Sequence, residues 1–145
     1  MVDILHRIGV TSSPQDVYAT LTTIDGLAGW WTADTTGDVD GVIRFRFGEA
    51  GGFDMKVMET RSKELVLWEV VDGPEEWIGT NVRFELKEED GFTIVLFSHT
   101  GWKEPVEFMY HCSTKWATFL MSLKHLVETG TGEPAPNDVR ISNWH

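Results

Sequence analysis

The sequence predicts an α+β domain: a curved antiparallel sheet wrapped around a long C-terminal helix, with two short helices after strand 1. Three observations carry this reading. From Ile43 to Thr100, short runs of alternating apolar and polar residues are separated by turn residues, the two-residue period of half-buried strands. The runs lie too close together for crossover connections, so successive strands must be antiparallel. Between Pro105 and Thr129 the period changes. Met109, Ser113, Trp116, Leu120, Leu123 and Val127 recur at steps of three and four and share one helical face. Cys112, Phe119 and Leu126 widen that face. The opposite stripe, from Glu107, His111 and Lys115 through Thr118 and Ser122 to His125 and Thr129, is polar throughout. Such a helix, roughly 37 Å long at about 1.5 Å per residue, needs a large surface to cover its apolar face, and the strands supply it.

The elements follow in order. Val2 to Val10 is a strand, with Ile4, Ile8 and Val10 on one face and His6 between them. Ser13 and Pro14 begin a helix as N-cap and first residue, and Asp16 sits in the first turn, where the helix dipole favours negative charge. That helix ends near Thr22, and a second runs from Ile24 to about Trp31. Thr32 to Gly41 is polar and turn-rich and reads as a surface loop. Ile43, Phe45 and Phe47 form the next strand face, and Phe53, Met55 and Val57 the one after the Gly48–Gly52 turn. Leu65 to Val70 follows, then a loop carrying Asp72-Gly73-Pro74. Val82, Phe84 and Leu86 alternate up to Asp90-Gly91, a hairpin turn. Phe92 to Thr100 is apolar on both faces at Ile94-Val95-Leu96-Phe97, as expected of a strand covered on both sides. Gly130 sits where a terminating glycine belongs. The domain therefore spans residues 1–130, and 131–145 is a tail whose Ile141 and Trp144 dock either on the body or on a second copy of the chain, making a homodimer.

Composition narrows the function classes. The 145 residues suit one domain, and a net charge of −11 disfavours nucleic acid and anionic membrane surfaces as partners. Cys112 is the one cysteine, so an intramolecular disulfide and a cysteine-based zinc site are excluded. The residues from Met1 to Arg7 lack the continuous apolar stretch of a secretion signal, and no run approaches the roughly 20 apolar residues of a membrane span, so a cytoplasmic location is expected. The histidines lack the spacing of a helical metal pair, and the glycine-rich turn lacks the Lys and Ser/Thr of a phosphate loop, so neither a metal nor a cofactor is expected.

In their order, these pieces resemble the START-like (SRPBCC, helix-grip) superfamily, and more narrowly its branch related to the C-terminal domain of the activator of heat-shock-protein-90 ATPase. The residues carrying the resemblance run through residues 2–130: Ile8, Ser13-Pro14 and Val17-Tyr18, Trp30-Trp31, Gly41 with Phe45, Leu65 to Trp68, Gly91-Phe92-Thr93, His99 to Trp102, and Trp116, Leu120, Leu123-Lys124 and Glu128 to Gly130. The resemblance implies an elongated pocket between the sheet and the last helix. It also implies a function among hydrophobic-ligand carriers, polyketide cyclases and co-chaperone domains. The first expectation is binding of a small hydrophobic or aromatic molecule in that cavity. The alternatives are an interaction module stimulating a chaperone ATPase, and a cyclase or hydrolase acting on a polyketide-like substrate.

Candidate site residues follow from position. Trp30 and Trp31 are helical neighbours and cannot point the same way, so one ring packs under the sheet edge and the other faces the cavity mouth. Trp68 and Trp77 flank the loop after the Leu65 strand, where rings can stack on a flat ligand or cap the core. Phe45, Met55, Phe84 and Phe97 are the strand residues expected to line a pocket. Met109, Cys112, Ser113 and Trp116 are their counterparts on the front half of the helix, where small and adaptable side chains leave room. The aliphatic rear half, Leu120, Leu123 and Val127, should be solid core. His99 is the one candidate for acid–base work, expected near the cavity mouth; the alternative is a hydrogen bond that fixes the strand end.

Overall fold

The computed structural model describes residues 2–145. The chain runs β1 (Val2–Val10), α1 (Pro14–Thr22), α2 (Ile24–Trp30), β2 (Asp34–Gly37), β3 (Val42–Arg46), β4 (Gly52–Arg61), β5 (Leu65–Asp72), β6 (Asn81–Glu89), β7 (Phe92–Trp102) and α3 (Glu107–Thr129). The strands form one antiparallel sheet in the order β1-β7-β6-β5-β4-β3-β2, so the chain meanders from β2 to β7 and β1 closes beside β7. Two register shifts between β4 and β5, one with the extra residue Val71 on β5 and one with the extra residue Met58 on β4, add local twist and help to bend the sheet around α3. The α+β architecture, the two short helices and the long closing helix stand as expected.

Local chemistry explains the boundaries. The Ser13 hydroxyl accepts the Asp16 N–H at 3.1 Å to start α1, and the Thr23 hydroxyl accepts the Gly26 N–H at 3.0 Å to start α2. Asp90 and Gly91 both take positive φ, at 53° and 80°, as a tight hairpin between β6 and β7 demands. The Gly130 N–H bonds to the Leu126 carbonyl and ends α3.

Three expectations need correction. The segment read as a loop contains β2, which pairs with β3 through Thr35 opposite Phe45. It escapes the alternation test because threonines rather than apolar residues turn inward: the Thr32 hydroxyl donates to the Arg46 carbonyl at 2.7 Å and that of Thr35 to the Thr32 carbonyl at 2.6 Å. Next, Trp30 and Trp31 are both buried, with neither at a mouth. Trp31 is the C-cap of α2, its backbone still right-handed and its N–H bonded to the Leu27 carbonyl at 2.9 Å, and both rings enter the interior from this helix end and stack at 5.4 Å. Finally, part of the polar stripe of α3 is covered. The tail lies along it, placing Asp138 2.5 Å from the Lys115 ammonium and the Glu133 N–H 2.7 Å from the Ser122 hydroxyl.

Of the two destinations open to the tail, the structure shows the body. Ala135 forms a bridge with Thr32, exchanging backbone bonds with Trp31 and Ala33 at 2.9 Å each. Trp144 rests against Phe108 and His111. Gly132 is needed where the tail crosses α2, since a Cβ there would lie 2.3 Å from the Gly29 carbonyl oxygen.

Candidate functional site

The space between the sheet and α3 is occupied by rings. Trp31 stands at their centre. It stacks nearly parallel on Trp30 at 5.4 Å and on Trp68 at 6.0 Å, and tilts against Phe45 at 4.3 Å, Trp116 at 4.8 Å and Phe53 at 5.0 Å. Offset and tilted contacts at these separations are the favourable geometries for aromatic quadrupoles. Trp116, from the front half of α3, also meets Phe97 at 4.4 Å and stacks on Trp77 at 6.0 Å. Phe84 links the two ends of the cluster through Trp68 and Phe97, at 5.3 Å from each.

Behind this cluster runs a polar chain. The Trp116 indole N–H donates to Nδ1 of His99 at 3.1 Å. Because Nδ1 accepts, Nε2 carries the proton and donates to the Thr80 hydroxyl at 2.7 Å. That hydroxyl donates onward to the Trp77 carbonyl at 2.5 Å. His99 is wholly buried, and burial lowers its pKa from 6.5 to about 3. The imidazole is therefore neutral with both nitrogens engaged, and this arrangement fixes α3 to the strand, the alternative weighed for it above. Cys112 sits beside this group. The Trp77 indole N–H points at its sulfur at 3.4 Å, and burial, with Glu76 adding to it and the indole opposing, pushes the thiol up to about 12. A thiol so placed is not a nucleophile at neutral pH.

The structure brings most of the candidate residues together. Trp31, Phe45, Trp68, Trp77, Phe84, Phe97 and Trp116 form one connected ring cluster, with His99 at its edge. Met55 is fully buried on β4 opposite Val70, and Cys112 touches Trp77. Met109 is buried in the core and, with the half-buried Ser113, borders the hollow where α3 passes β1. Ser113 offers its carbonyl to His6 Nε2 at 3.1 Å. Two participants were not singled out from sequence. Phe53 packs between Trp31 and Trp77, at 4.4 Å from the latter, and shares its strand face with Met55, which was the available signal. Thr80 lies in a loop and carried no signal.

The two hollows that stand out are open and superficial. One, of about 430 Å³, lies on the outer face of β1, β7 and β6 beside Leu5, Arg83 and Leu96. The other, of about 410 Å³, lies between β1 and the front of α3 beside Leu5, Met109 and Tyr110. Among the described residues, no three His, Cys, Asp or Glu side chains converge on a point that would hold a metal ion. No helix among them is long and apolar enough to cross a membrane.

Residues 11–128 match the model of the family described as Activator of Hsp90 ATPase homolog 1-like protein. The chain belongs to that family. Among solved structures similar to this member of the Activator of Hsp90 ATPase homolog 1-like family is the Aha1 dimer from Colwellia psychrerythraea, determined in solution. It is 45% identical, with a TM-score of 0.84, and the match covers 91% of this chain and 100% of that one. The protein SSP2350 from Staphylococcus saprophyticus superposes with a TM-score of 0.74 over 99% of this chain and 100% of its own, at 15% identity. A Mesorhizobium loti protein does so with a TM-score of 0.74 over 86% and 96%, at 14% identity. The last two likenesses are of fold. No curated protein matches the chain by sequence.

Proposed function

We propose that this protein acts through its surface, as a homodimeric module that binds a chaperone ATPase of the Hsp90 class and raises its turnover. The observation that carries the surface reading is the position of Trp31, whose ring is enclosed by seven others in the space a ligand would need. Family membership supplies the class of partner, and the Colwellia relative, solved as a dimer, supports self-association. An unpaired, buried Cys112 suits a reducing, cytoplasmic setting.

The rival, an apolar ligand held between the sheet and α3, asks the Trp31 cluster to part and forfeits its contacts. A cyclase or hydrolase role asks His99 to release two hydrogen bonds and reach solvent. Neither has a comparable observation in its favour. The test is phosphate release by an Hsp90-class chaperone with this protein in excess, alongside calorimetry of the pair. A saturable rise in rate with measurable binding is expected. An unchanged rate with no heat of binding would overturn the proposal.

A further inference from the structure

We propose that the second copy docks edge to edge on β1, the two strands pairing antiparallel about a two-fold axis at Leu5. This rests on the self-association proposed above and names the surface that makes it.

The two edges of the sheet are handled differently. At one end β2 is four residues long, and the adjoining Thr32 bridges to Ala135 of the tail. At the other end β1 is nine residues long, and among the described residues no strand lies on its outer side. A long unpaired edge is a template for another strand unless something blocks it. Only its far end is blocked: the Lys124 ammonium bonds to the Gly9 carbonyl at 2.7 Å, and the Glu128 carboxylate accepts the Thr11 N–H at 2.8 Å. Among the described residues, no hydrogen bond ends on the outward backbone groups of the stretch before that.

Backbone direction then sets the register. The Gly9 carbonyl points away from β7, since Lys124 reaches it there. In an antiparallel pair, residues alternate between facing the partner strand and facing away. Leu5 and Arg7 therefore direct their N–H and C=O groups to the open edge as Gly9 does, and Asp3 continues the alternation along β1, because the register shift between Val2 and Ile4 places its extra residue on β7. Placing the two-fold axis at Leu5 sets Leu5 against Leu5 of the other copy, and Asp3 against Arg7 twice. The strand is its own charge complement, as an isologous contact requires. These three side chains alternate onto the outer face, opposite Ser98 and Leu96 of β7, and all three are exposed, Leu5 at 69%. Among the described residues Arg7 is held by Glu89, in a solvent-exposed pair of little strength, and the Asp3 carboxylate accepts the Gly101 N–H at 3.2 Å with its second oxygen left over, so both are available to a new partner. Leu5 also forms the ridge between the two hollows, and Tyr110, 70% exposed, borders the one beside α3. These hollows give room for apolar side chains of the second copy on both faces of the joined sheet.

The experiment is sedimentation equilibrium on the full chain and on two variants. The wild type should sediment as a dimer. Leu5→Glu should weaken the dimer about a hundredfold or more by setting two like charges face to face, with an unchanged circular dichroism spectrum, because the side chain is exposed. Leu5→Cys should form a covalent dimer on oxidation. Opposed residues in a bonded pair have Cα atoms about 5.5 Å apart, which suits a disulfide, and the native Cys112 is buried. A monomeric wild type would overturn self-association and this surface together. A dimer that survives Leu5→Glu and fails to cross-link through Leu5→Cys would overturn the surface alone.

Discussion

The indole N–H of Trp116 donates to Nδ1 of His99 at 3.1 Å, tying the gripped helix α3 to strand β7 of the sheet that grips it. Both residues are buried, so neither group can exchange its partner for water. The bond also selects the tautomer of the imidazole, and with it the direction of the chain through Thr80 to the backbone of Trp77.

Substitutions at Trp116 separate ring from bond. Trp116→Phe keeps most of the apolar area but leaves Nδ1 of His99 buried and unpaired, a loss expected at about 1–3 kcal/mol. Trp116→Ala removes the ring as well, and about 3–5 kcal/mol or more is expected. Urea unfolding of both variants measures the difference. A loss below about 1 kcal/mol for the alanine variant would mean that the ring lines open space instead of filling it.

The same histidine makes the fold acid-sensitive. Its pKa is near 6.5 unfolded and about 3 folded, so the unfolded chain binds the proton first as pH falls. This contribution to stability is intact above pH 6.5 and is lost progressively down to about pH 3. The expected slope is about 1.4 kcal/mol per pH unit within that window. His111, whose pKa burial and its Lys115 and His145 neighbours also lower, adds in the same direction. Denaturation midpoints between pH 7 and 4 should fall less steeply for His99→Asn than for the wild type, whatever the absolute stability of the variant. Parallel slopes would mean that His99 titrates alike folded and unfolded.

Cys112 should be inert while the fold is intact. Its thiol is buried and pushed up to about 12, so a thiol reagent at pH 8 should label the native protein slowly and the urea-unfolded chain at once. Equal rates would show that α3 opens freely from the sheet.

The tail contributes through Asp138, which is buried against Lys115. Asp138→Ala leaves that ammonium in a mostly buried position without its carboxylate, and about 3 kcal/mol of destabilisation is expected. Thermal unfolding reads this directly. A negligible shift would mean that residues 131–145 sit on α3 without holding it.

What the sequence revealed follows physical lines. Helix α3 was legible because its apolar face repeats over six turns, and β3 to β7 because their alternation is backed by turn residues such as Asp90-Gly91. Strand β2 was not, since an edge strand held by threonine hydroxyls and backbone bonds has no apolar period to detect. The membership of the ring cluster was largely legible too: Trp31, Phe45, Trp68, Trp77, Phe84, Phe97 and Trp116 were all singled out. How closely the rings pack was not, because it turns on two adjacent residues at the end of α2, Trp30 and Trp31, both directing their rings inward, which helical periodicity does not foretell. Thr80 shows the same limit, being placed under His99 by a loop whose course no local pattern dictates.

The most direct measurement of whether that cluster is closed is native mass spectrometry of the protein as it leaves the cell, followed by solvent extraction. The expected spectrum contains bare polypeptide alone, with nothing released on extraction. A stoichiometric apolar molecule that accompanies the folded chain and is released by solvent would show that the rings around Trp31 part for a guest, and would return the function to the interior.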